Sequence, residues 1–155
     1  MPIGNLTSQI FANIYLDKLD WFIKKQLRIK YYYRYADDFV IVNENSEYLK
    51  NIVNSIEDFL KKELDLTLHP HKVEIRKFSQ GIDFLGYIIL PYHISLRTKT
   101  RRRMFKKIRD HKIELDTGLI TKDSFEQSLQ SYYGMLKHCD GYKIKCDIDY
   151  FLKKF

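Results

Sequence analysis

Two adjacent aspartates, Asp37 and Asp38, interrupt an apolar and aromatic stretch: Tyr31-Tyr32-Tyr33-Arg34-Tyr35-Ala36 precedes them and Phe39-Val40-Ile41-Val42 follows. Aromatic and β-branched residues fit a pleated, buried surface, so both flanks are expected to be strands. A chain reversing between such strands puts the carboxylates at the tip of a hairpin. Two like charges beside an apolar core repel each other and are costly to desolvate unless a cation compensates them. Magnesium does so, because hard divalent cations bind carboxylate oxygens and can then hold phosphates. Asp-Asp is also ordinary turn chemistry, and taken alone the pair leaves both readings open.

The charge is unevenly placed. From Arg97 to Lys112 there are nine basic residues against the single Asp110, a local net of +8, whereas the whole chain carries +7. Such a segment attracts phosphate backbones and makes binding salt-dependent. Arg97, Lys99, Arg101, Arg102, Arg103, Lys106 and Lys107 are the candidate contacts. Met104, Phe105 and Ile108 recur within it at helical spacing, so one face packs and the other stays wet. A merely solvated helix is the alternative, although a block of like charge repels itself without a partner.

Apolar residues recur every three or four positions from Ile10 to Leu27, which predicts a long amphipathic helix. Asp17 and Asp20 near its stripe are expected to be helix-surface charges rather than a second acid pair. Asn45 or Ser46 can cap a second helix whose stripe runs from Leu49 to Leu64. Strands are expected at Thr67–Leu68, Val73–Phe78 and Phe84–Leu90. From Arg97 the pattern turns helical, with Asp123 and Glu126 resembling a capping box and a last short helix using Ile148, Phe151, Leu152 and Phe155. Helices on one face of an antiparallel sheet make an α+β layer, and the composition shift near Pro91 to Thr98 is the one candidate boundary.

A length of 155 residues with 45% hydrophobic and 30% charged content fits a globular protein with a real core. No apolar run is long enough for a membrane span and no signal peptide opens the chain. Cys139 and Cys146 lie near His138, but two sulfurs and one imidazole fall short of a structural zinc site. Free thiols in a reducing cytoplasm are expected. His69 and His71 around Pro70 are expected to be surface residues of a loop.

Tyr35-Ala36-Asp37-Asp38 resembles the Tyr-x-Asp-Asp box of reverse transcriptases. Pro2-Ile3-Gly4-Asn5-Leu6-Thr7-Ser8-Gln9 is similar to the palm segment lining the nucleotide pocket in that family. Leu68-His69-Pro70-His71-Lys72 and Gly81-Ile82-Asp83-Phe84-Leu85-Gly86-Tyr87 resemble its lysine-bearing palm motif and its primer-grip hairpin. Ser131 to His138 looks like the thumb of bacterial members. The Gly-Asn-x-x-Ser-Gln form is similar to the enzymes of diversity-generating retroelements, and retron and group II intron enzymes share the layout.

The resemblance implies an α+β polymerase palm over residues 1–92 and a helical basic thumb over 93–155. It implies RNA-directed DNA synthesis by two-magnesium phosphoryl transfer, with Asp37 and Asp38 as catalytic metal ligands and Lys72 beside the departing pyrophosphate. Gly4, Ser8 and Gln9 would lie against the nucleotide and templating base, and Phe84, Leu85, Gly86 and Tyr87 would support the primer end. An RNA template, a DNA primer, deoxynucleotides and possible accessory proteins are the implied partners, in a cytoplasmic, bacterial or phage-associated setting without a membrane.

The family has a further metal-binding aspartate upstream of Pro-Ile-Gly-Asn. The expectation is therefore a fragment lacking the fingers and first palm strand, inactive without a missing amino-terminal half or a partner chain. A non-catalytic RNA-binding module, or an inactive remnant of such an enzyme, is the rival reading.

Overall fold

The computed structural model describes residues 6–154. Gly4, with the Pro2–Asn5 stretch assigned to the nucleotide pocket, and Phe155 of the expected last helix lie outside the described residues. The chain divides into two compact units, Met1–Ile75 and Arg76–Phe155.

In the first unit, α1 (Leu6–Trp21) runs into a short π-helical turn, Phe22–Gln26, and is followed by β1 (Tyr31–Tyr35), β2 (Asp38–Val42) and α2 (Ser46–Leu64). The two strands pair antiparallel, with Tyr32 opposite Ile41 and Tyr35 opposite Asp38. Strand alternation sends Tyr32 and Ile41 into a core with Leu19, Ile23, Ile52, Ile56, Leu60 and Leu64. Fully burying an isoleucine such as Ile23 or Ile56 contributes about 2 kcal/mol of transfer free energy. Phe22 and Phe59 stack at 4.1 Å between ring centroids. Asn45 caps α2 as expected, its side chain accepting from the N–H groups of Glu47 and Tyr48.

Three expectations for this stretch are corrected. The first helix does not remain α-helical to Leu27, and its apolar residues do not share one buried stripe. Leu19 and Ile23 are buried, whereas Ile10, Phe11 and Ile14 are 49%, 62% and 64% exposed. Ile10 and Ile14 stand on the side of the helix opposite Leu19, so spacing of three to four residues marks two faces rather than one. Thr67–Leu68 and Val73–Phe78 form no strands. β-Rich composition supplies no ladder partner, and Val73 and Ile75 remain exposed. Finally, Asp20 is not a solvated surface charge.

Asp20 ties α1 to β1. The Tyr32 hydroxyl donates to Oδ1 at 2.5 Å, while Arg34 donates from Nε to Oδ1 at 2.7 Å and from Nη2 to Oδ2 at 2.5 Å. This is the two-pronged geometry that makes guanidinium–carboxylate pairs strong. Arg34 Nη1 also donates to Asn13 Oδ1 at 3.0 Å. Burial opposes the charge on Asp20, but the hydrogen bonds from Arg34 and Tyr32 and the Arg34 charge outweigh it, holding the carboxyl below its ordinary pKa. Burial, followed by the bond to Asp20, pushes the Tyr32 phenol up.

In the second unit, β3 (Ile82–Phe84), β4 (Tyr87–Ile89) and β5 (Ile94–Leu96) form an antiparallel meander in that order, and α3 (Thr98–Asp116), α4 (Lys122–Leu136) and α5 (Tyr142–Lys154) follow. Leu96, Met104, Ile108, Leu136, Ile144 and Ile148 make its core. The expected strand Phe84–Leu90 is broken at Leu85 and Gly86, whose φ of 53° and 84° are left-handed; two successive left-handed residues are the geometry of a tight hairpin turn. β5 was not anticipated. The expected Asp123–Glu126 box is also corrected: Thr121 caps α4, accepting from the Ser124 N–H at 3.3 Å, and Asp123 lies inside the first turn.

Two outcomes follow from this packing. Asp20→Asn should destabilise the first unit by about 2 kcal/mol at neutral pH, because a paired charge and its hydrogen bonds are lost together. The wild-type advantage is complete above the unfolded carboxyl value of about 4 and is lost as the pH falls through the lower folded value. Urea unfolding followed by the fluorescence of the single tryptophan, Trp21, should show the gap closing in acid; a gap independent of pH would contradict this. In the second unit, a Cβ on Gly141 would lie 2.6 Å from the Leu136 carbonyl oxygen and 2.8 Å from its Cβ, whereas one on Gly134 meets nothing within 4 Å. Gly141→Ala should therefore cost about 1–3 kcal/mol, and Gly134→Ala should be neutral or stabilising by up to about 1 kcal/mol, as measured by thermal circular dichroism.

Candidate active site

The pairing of Tyr35 with Asp38 leaves Ala36 and Asp37 as a two-residue loop. Ala36 has φ of 52°, a left-handed conformation that costs a residue with a Cβ about 1–2 kcal/mol. The same Arg34 that grips Asp20 donates from Nη1 to the Ala36 carbonyl at 2.8 Å, which opposes relaxation of the turn. One side chain thus connects α1, β1 and the loop carrying the aspartates. Asp37 and Asp38 are both exposed. Alternation puts Asp38 on the outer face of the hairpin with Tyr31, Tyr33 and Tyr35, which are 48%, 59% and 64% exposed.

The donor set at this tip is two neighbouring carboxylates with access to solvent. Among the described residues no group of three or more His, Cys, Asp or Glu side chains converges as a metal cage. Magnesium is commonly held by one or two carboxylates together with substrate phosphates and water, and Asp37 with Asp38 fits that donor requirement.

The other expected residues of the first unit are dispersed along it. Ser8 is half-buried and Gln9 exposed in the first turns of α1. Lys72 is exposed in a turn closed by its own N–H donating to the His69 carbonyl at 2.9 Å. His69 and His71 are exposed in the same loop, their rings 6.0 Å apart.

Phe84, Leu85, Gly86 and Tyr87 form the turn between β3 and β4 in the second unit, with Leu85 exposed at the tip. The Arg97 N–H donates to the Gly86 carbonyl at 3.0 Å, and Arg97 Nε pairs with Asp83 at 2.8 Å. Tyr87 donates its hydroxyl to the Met135 carbonyl at 3.0 Å, fixing the hairpin on α4; burial, then nearby Cys139, raises its pKa.

The basic segment forms α3, with Met104 and Ile108 buried and Arg101, Arg102, Arg103, Lys106 and Lys107 exposed. Arg101, Arg102, Phe105, Lys106 and Arg109 line a groove together with Thr98 and Asp147. Lys99 and Arg103 are exposed without lining it. Arg109, whose guanidinium lies 5.9 Å from the Phe151 ring centroid, and Asp147 are outside the set expected from the sequence. The i, i+4, i+8 spacing of Arg101, Phe105 and Arg109 was a signal for the first, whereas nothing local marked Asp147. Cys139 and Cys146 are free thiols, and no helix among the described residues is long and apolar enough to cross a membrane.

Comparison with known proteins agrees with the signature at the hairpin. The family described as reverse transcriptase (RNA-dependent DNA polymerase) matches residues 1–89, from α1 through the Asp-Asp hairpin to β4. The chain is also 36% identical over 84 residues to the COX1/OXI3 intron 2 protein of Saccharomyces cerevisiae, an alignment covering 54% of this chain and 10% of that protein. It therefore spans about a tenth of that relative's length. With the family match taking in the α1 helix, the aspartate turn and the β3–β4 hairpin together, this chain belongs to the reverse transcriptase family.

Proposed function

We propose that this chain supplies palm and thumb elements to an RNA-directed DNA polymerase, with residues 1–92 as the palm portion and 93–155 as the basic thumb. The observation that carries this reading is the exposed Asp37–Asp38 pair on a turn that Arg34 anchors. Asp37 and Asp38 would hold magnesium, which in two-metal phosphoryl transfer activates the attacking primer hydroxyl and neutralises the pyrophosphate. Phosphate oxygens of the substrate would complete the coordination. Lys72 would offer a cation to the leaving group, and Ser8 and Gln9 would contact nucleotide and template. The Phe84–Tyr87 turn would bear on the primer end, while α3 would contribute sequence-independent affinity for the RNA–DNA backbone. Substrates in this reading are an RNA template, a DNA primer and deoxynucleotides.

Asp37→Asn should abolish primer extension on an RNA template in any preparation where this chain supports it, while leaving template affinity within about twofold, because metal chemistry and backbone attraction reside in different residues. Equal losses of rate and affinity would indicate a structural aspartate, and unchanged extension would leave an RNA-binding module as the better description. Replacing Arg101, Arg102 and Arg103 together with glutamine should weaken binding to all sequences alike. Each lost phosphate contact should flatten the plot of log affinity against log salt by about 0.7–0.9. A fluorescence-anisotropy salt series checks this, and an unchanged slope would show that these arginines make no phosphate contact.

A further inference from the structure

The groove between α3 and α5 has a single acidic side chain among its lining residues. Asp147, half-buried on α5, accepts from Arg101 Nη2 at 2.9 Å. The two are 46 residues apart in sequence, so the fold and not local geometry brings them together. On its other side the Arg101 guanidinium lies 5.8 Å from the Phe105 ring centroid, which limits its freedom. Arg102, Lys106 and Arg109 line the same groove. A carboxylate oxygen accepting from an arginine Nη uses the contact that a phosphate oxygen would use. Both partners are about half exposed, at 47% and 40%, so the pair is weak enough to exchange with an incoming anion.

We propose that Asp147 is an intramolecular stand-in for a backbone phosphate: it pairs with Arg101 within the chain and must yield it when a nucleic-acid strand enters the groove. This deepens the reading of α3 as a nucleic-acid interface and rests on it. Asp147 keeps Arg101 extended into the groove, a positioning role. When phosphate takes Arg101, the released carboxylate remains beside an anion, opposes binding and retains a counter-cation that would otherwise leave. Asp147 therefore lowers affinity and makes the salt dependence shallower, which favours release of the strand between steps.

The test is fluorescence anisotropy of the full chain with a short labelled RNA–DNA hybrid across a salt series, on variants whose folding is confirmed by thermal circular dichroism. Asp147→Asn should bind about three- to tenfold more tightly, the range expected when one partly exposed charge contact is removed. Its salt slope should steepen by about 0.7–0.9, one phosphate contact's worth of counterion release. Asp147→Glu, which keeps the charge, should behave like the native chain. In an Arg101→Gln background the Asp147→Asn gain should shrink, because only the carboxylate's repulsion of the strand is then left to remove, and a purely structural aspartate would not show this dependence. Affinity that is unchanged or weaker in a folded Asp147→Asn chain overturns the proposal, as does a gain undiminished by the loss of Arg101. If Arg102→Gln and Lys106→Gln weaken binding while Asp147→Asn gives no gain, this inference fails and the interface stands. If none of these substitutions changes affinity, the groove is not the interface and both fail.

Discussion

The guanidinium of Arg34 is the constraint on which the first unit depends. Its donors reach Asp20 on α1 by two prongs, Asn13 a further two turns back, and the carbonyl of Ala36 at the hairpin tip. Remove it and three things loosen together: the helix-to-hairpin docking, the partly buried Asp20 carboxylate and the left-handed turn that aims Asp37 and Asp38 outward. Each hydrogen bond to a charged group is worth about 1.5–3 kcal/mol, against a cost of about 1–2 kcal/mol for the αL alanine. The anchor therefore outweighs the strain it maintains. Backbone strain of this kind persists only where the surroundings over-determine it, and it clusters at functional sites.

The hairpin itself was legible because two independent patterns coincide in it. Runs of aromatic and β-branched residues marked the strands, and a charged dipeptide between them marked the turn. The Asn45 cap was legible for a similar reason, since capping is a contact between near neighbours in sequence. What the sequence hid is non-local. Asp20 looked like a surface charge because its partners, Tyr32 and Arg34, come from the next element. Val73–Phe78 has strand composition but no partner strand, and the short β5 has too few residues to show a period. α1 misled most, because apolar residues at helical spacing cover two of its faces and only one is buried in this unit.

Electrostatically, the two units differ in the charge they expose. The first presents adjacent carboxylates suited to a hard cation, and the second presents a helix with arginines and lysines outward and Met104 and Ile108 inward. The family match covers the first unit and the second only as far as β4, and under the proposed function the carboxylates would serve metal-assisted chemistry and the cationic helix the phosphate backbone. The second unit fixes its β3–β4 turn by Tyr87 on α4 and by Arg97 on Asp83, so that hairpin is positioned by side chains that charge and hydropathy patterning do not reveal.

Arg34 should hold the Asp37–Asp38 turn in a shape ready to take a divalent cation. Manganese titrated into the isotope-labelled chain reads this directly, because a bound paramagnetic ion broadens only nearby amide resonances. Broadening should concentrate at Tyr35 to Phe39, with Arg34→Lys needing more manganese for the same effect because an ammonium cannot reproduce the guanidinium fork. Broadening spread evenly over other exposed acids such as Asp17 and Asp58, or a titration indifferent to Arg34→Lys, would contradict it.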